Sequence, residues 1–155
     1  MMKRLLALAA FILVVAPPTE SHGASDIPEF DPDAPVDLDK YEGNEWPDER
    51  DVNAAFESRY EKFDACVAAE KERTGSDVQL AGDAGMAIQL NPAGNRPLGV
   101  NATFPGEYDQ RKELVRCMRN ATGSAPFPKY WGPPLVVKFE FEIDPGTEWV
   151  EEEDE

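Results

Sequence analysis

The sequence predicts an α+β domain: a small antiparallel sheet of three strands, or four with a short extra strand at Val78–Leu80, and two helices packed on one face. Two kinds of periodicity predict it. Apolar residues recur at helical spacing over 51–73 and 107–121, and alternate with polar ones over 85–104 and 135–143. A third observation is the cluster Asn91-Pro92-Ala93-Gly94-Asn95, dense in turn formers, inside the first alternating stretch.

Residues 1–23 read as a cleaved export signal. Lys3 and Arg4 are followed by an apolar run from Leu5 to Ala16. That run is shorter than the roughly 20 residues of a spanning helix and suits a signal-peptide core. Ser21 and Gly23 supply the small residues before a cut at Ala24. The mature chain is then periplasmic or secreted and keeps no stable membrane anchor.

Residues 24–50 read as an acidic, disordered linker. Pro28, Pro32, Pro35 and Pro47 interrupt regular structure, and ten acids crowd the stretch. Asp37 to Gly43 faintly resembles a calcium loop. Tyr41 stands at the third ligand position and the glycine comes one residue late, so the pattern fails.

The folded domain is expected over 51–146. Its first helix, 51–73, carries Phe56, Tyr60, Phe63 and Val67 on one face, and Thr74-Gly75 ends it. Glu57, Glu61, Lys62, Glu70, Lys71 and Arg73 form a solvated face. In the hairpin, Met86, Ile88 and Leu90 alternate with Ala87 and Gln89, and Val100 and Ala102 share a face of the return strand. The second helix, 107–121, has Tyr108, Leu114, Val115 and Met118 in its stripe, with the Arg111 stem alongside. The clearest strand is Leu135–Ile143. Val137, Phe139, Phe141 and Ile143 face one way, and Val136, Lys138, Glu140 and Glu142 the other. Residues 147–155, with Trp149, form an acidic tail.

Cys66 and Cys117 are the only cysteines and lie one on each helix. An even count in an exported chain predicts a disulfide. Closing a loop of 51 residues stabilises by about 4 kcal/mol on the chain-entropy model, which matters in a domain with one small core.

Composition excludes several functions. With 31 acidic and 15 basic residues the net charge is −16, a surface that repels nucleic acid and anionic lipid. The one histidine, His22, falls in the signal, so the mature protein has no imidazole for a triad or a metal site. No catalytic residue, metal ligand or small-molecule cofactor is predicted. Two sequons, Asn101-Ala102-Thr103 and Asn120-Ala121-Thr122, match the glycosylation pattern.

The order hairpin, helix, Phe-Pro turn, strand resembles the TonB C-terminal domain and its relatives, nearest to the AgmX/PglI C-terminal type. The matching residues are Gly85 with Met86–Leu90, Gly94, Leu114–Met118, Phe127-Pro128, Gly132 and Val136–Phe141. The resemblance implies a non-enzymatic module that binds another protein by pairing a partner segment with an edge strand. Carried onto this chain, the edge is Val137, Lys138, Phe139, Glu140, Phe141 and Glu142. Its charged residues would guard it against self-association. A TonB transducer has a membrane anchor and a long proline-rich spacer. Here both stretches are short and the spacer is acidic, so energy transduction is not expected. Two alternatives stay open: a small secreted hydrolase using paired carboxylates, and a cation-binding surface protein.

Overall fold

The computed structural model describes residues 26–146. The expected signal at 1–23 and the tail at 147–155 lie outside them. The architecture is α+β. Helices α1 (Glu49–Glu57), α2 (Tyr60–Thr74) and α3 (Lys112–Gly123) lie on one face of strands β1 (Asp83–Gln89), β2 (Gly99–Thr103) and β3 (Val136–Glu142). The strand order is β2-β1-β3, antiparallel throughout. No strand forms at Val78–Leu80. That stretch is tied instead to the end of β3, where the Leu80 N–H donates to Asp144 Oδ2 at 3.0 Å.

The single helix expected over 51–73 is two. Asp48 caps α1 by accepting from the Arg50 N–H at 2.8 Å, and Glu49 and Asp51 suit its N-terminal end. The break falls at Ser58 and Arg59. The Ser58 hydroxyl donates back to the Ala55 carbonyl at 2.6 Å, and Arg59 takes φ −98°, ψ −4°. This small pivot lets Phe56 from α1 and Phe63 from α2 both face the sheet. Gly75 then ends α2 at φ +66°, a left-handed conformation that favours glycine.

The helix expected at 107–121 begins as a short 3-10 turn, Gly106–Gln110, before α3. Arg111 lies at the junction. Its guanidinium sits 5.1 Å from the Tyr108 ring centre.

Alternation sorts the sheet. Ala84, Met86 and Ile88 of β1, Val100 of β2 and the half-buried Val137, Phe139 and Phe141 of β3 meet the helices. Phe56, Leu114, Met118 and Phe127 close the core over them. The opposite face carries Gly85, Ala87, Asn101, Lys138 and Glu140. The disulfide joins Cys66 of α2 to Cys117 of α3, with the two Cα atoms 5.8 Å apart. No helix among the described residues is long and apolar enough to cross a membrane.

The stretch 26–50 differs from a disordered linker in its first residues. Residues 26–30 lie along the outer edge of β2. The Val100 N–H donates to the Pro28 carbonyl at 3.0 Å, and the Phe30 N–H to Asn101 Oδ1 at 2.9 Å. Further on, the Glu45 N–H donates to the Trp131 carbonyl at 2.8 Å. The side chains of Ile27 and Phe30 give this segment the apolar anchors that its acids lack: Ile27 packs on the core and Phe30 lies against Gly99.

Glu70 is also not on a solvated face. It is only 2 % exposed and accepts two hydrogen bonds from Arg73, at 2.7 and 3.0 Å, with Arg111 at 3.4 Å.

Candidate interaction site

The two edges of the sheet are unlike. The β2 edge is taken by residues 26–30. Arg119 locks them there, donating to the Ile27 carbonyl at 2.7 Å and to the Val100 carbonyl at 2.9 Å. The Ile27 N–H donates to Asn120 Oδ1 at 3.0 Å, and Asn120 Nδ2 donates to Asp26 at 2.8 Å. Asn120 and Arg116 together hold the Asp26 carboxyl below its usual value. Both sequon asparagines thus serve as clasps on this strap, a use that the sequons do not reveal.

The β3 edge is bare among the described residues. Its register determines which backbone groups point outward. The Leu90 N–H donates to the Leu135 carbonyl at 2.8 Å, and the Ile143 N–H to the Gly82 carbonyl at 3.0 Å. In an antiparallel ladder, hydrogen-bonded pairs alternate with non-bonded ones. Val137, Phe139 and Phe141 therefore bond to β1. Val136, Lys138, Glu140 and Glu142 turn their N–H and C=O groups away from the sheet.

Two grooves flank this edge on the helix side. One, of 360 Å³, is lined by Trp46, Pro47, Val52, Leu135, Val137 and Phe139. The other, of 320 Å³, is lined by Tyr60, Phe63, Asp64, Phe141, Ile143 and Pro145. Neither includes a β1 residue, so both open at the outer rim. Trp46 is 77 % exposed beside the first.

The C-terminal end of β3 is anchored electrostatically. Lys71 Nζ lies 2.6 Å from Asp144 Oδ2. Burial would raise the Asp144 carboxyl, but the bonds from Lys71 and the Leu80 N–H outweigh it and hold the group below its usual value. Glu70 is likewise lowered, chiefly by its hydrogen bonds from Arg73 and against the effect of burial.

The six β3 residues expected at the site come together, on two faces rather than one. Val137, Phe139 and Phe141 form the wall of the grooves, and Lys138, Glu140 and Glu142 present the open backbone. Cys66 and Cys117 lie in the helix layer, away from this edge. Among the described residues no three His, Cys, Asp or Glu side chains gather in a way that would hold a metal. Among the described residues the one buried carboxylate, Glu70, is engaged by two arginines rather than paired with another acid. Comparison with protein-family models, curated proteins and solved structures gives no match to this chain.

Proposed function

We propose that this chain is an exported, non-catalytic interaction module that takes an extended segment of a protein partner on the outer edge of β3. The observation that carries the reading is the asymmetry of the sheet. One edge is covered by residues 26–30, and the other offers a row of outward backbone groups beside two grooves that mix apolar walls with charged side chains. An added strand would draw affinity from the backbone of Lys138 and Glu140, and selectivity from side chains entering the grooves. Export is supported by the apolar N-terminal run and by the disulfide, which persists in oxidising compartments.

The test is capture of a partner from an envelope or secreted extract by the wild-type chain and by Glu140→Pro. Proline there removes one outward N–H and leaves the β1 bonds intact, a tolerated place for proline on an edge strand. Phe139→Pro is unsuitable, because the Phe139 N–H faces β1 and its ring is part of the core. Partner retention should fall at least about ten-fold in the folded variant. Equal retention would refute edge pairing.

A further inference from the structure

We infer that the strand received by β3 is β3 of a second copy of this chain, paired antiparallel about a two-fold axis at Phe139. The inference rests on the edge-pairing reading above and names its occupant. It follows from register, overlap and charge, each taken separately.

The outward groups belong to even-numbered residues. A symmetric pair must therefore set even residues opposite even residues to form bonded pairs. β3 spans the seven residues Val136–Glu142, so its midpoint is Phe139. Centring the axis there overlaps the whole strand. It also sets Lys138 opposite Glu140 of the other copy, and Glu140 opposite Lys138, as directly bonded neighbours.

The competing registers are worse. An axis at Lys138 opposes lysine with lysine. An axis at Glu140 also sets Lys138 opposite Glu142 twice, but it opposes glutamate with glutamate at its centre and overlaps only residues 138–142 of the strand, and one at Phe141 opposes Glu140 with Glu142 twice. An axis at Val137 leaves Glu140 without an opposite residue in the strand. Opposite charges facing across a strand pair stabilise it and like charges destabilise it. The charges that guard this edge in other registers thus select this one. Around the axis, Phe139 would meet its own copy and Val137 would meet Phe141, at the rim where the two grooves open. An axis perpendicular to the sheet keeps both helix layers on the same side. The net charge of −16 opposes association at long range. Physiological salt screens it within about 8 Å, while the bonded pairs act at contact.

Sedimentation equilibrium of the full chain, disulfide intact and at physiological salt, tests this. The wild type should dimerise in the micromolar range. Lys138→Glu and Glu140→Lys should each raise the dissociation constant at least about ten-fold, because two attractive pairs become repulsive. The double variant Lys138→Glu/Glu140→Lys should restore dimerisation. Glu140→Pro should be monomeric, with its fold checked by circular dichroism. A monomeric wild type, a dimer indifferent to the single swaps, or a double variant as weak as the singles would overturn self-pairing. A monomeric wild type overturns the occupant and not the edge. A monomeric chain that still loses a captured protein on Glu140→Pro would leave edge pairing standing with a different occupant.

Discussion

Phe56 lies flat on Phe139, with ring centroids 4.1 Å apart and planes 5° from parallel. Phe63 stacks in the same way on Phe141, at 4.9 Å and 15°. The pivot between α1 and α2 is thus matched to the two-residue period of β3, one ring from each helix on each alternate strand residue. These stacks couple the helix layer to the strand that carries the site.

Replacing Phe56 by alanine should cost about 3–4 kcal/mol, the transfer loss plus a cavity under the helices. Urea unfolding followed by circular dichroism would measure it. Phe139→Ala should cost less, because that ring is only partly buried, whereas Phe56 is 1 % exposed.

Reduction of the disulfide should lower stability by about 4 kcal/mol on the chain-entropy model. Cys117 is exposed and Cys66 buried. A thiol reagent should therefore reach the bond from the Cys117 side without global unfolding. Thermal unfolding with and without reductant, paired with the mass of the alkylated product, checks both statements.

Acid should destabilise the fold through Glu70 and Asp144. Both carboxyls sit below their ordinary values of 4.5 and 3.8. A carboxyl lowered in the folded state contributes stability above its unfolded value and loses it as pH falls toward its folded one. Stability should therefore hold near neutrality and decline below about pH 4.5. Glu70→Gln should weaken the protein at neutral pH and flatten its acid dependence. Urea midpoints across this range would reveal the slope, and an unchanged slope in the variant would assign the acid loss to other groups.

Loosening the strap should uncover the β2 edge. Asn101→Ala removes the acceptor of the Phe30 N–H, and Asn120→Ala that of the Ile27 N–H. Loss of about 1 kcal/mol in either should speed amide exchange at Val100 at least about five-fold. Exchange at Ile88, in the middle of β1, should not change.

The helices, the hairpin and β3 are legible in the sequence because each repeats at its own period over several residues. The disulfide is legible because there are two cysteines, one on each expected helix, behind an expected export signal. The pivot at Ser58 is not. It contains neither glycine nor proline, and its cause is one hydroxyl bonding back to Ala55. Glu70 looks like any exposed acid until Arg111, distant in sequence, is brought to it. The strap is hidden by its composition: acids and prolines outnumber Ile27 and Phe30, and its partners, Asn101, Arg119 and Asn120, come from β2 and α3. Alternation marks 135–143 as a strand, and only the resemblance suggests that it is an edge. Which edge stays open depends on strand order, and which backbone groups face outward depends on register with β1. Neither is set by any local pattern.

Sheets with two naked margins grow without limit, each molecule templating the next into a filament. Here residues 26–30 cover one margin, Pro28 accepting from the Val100 N–H and the side chains of Asn101 and Arg119 holding the rest. On the pairing proposed for β3, a strand added at the other margin would leave no second bare margin of the same kind to carry the row further.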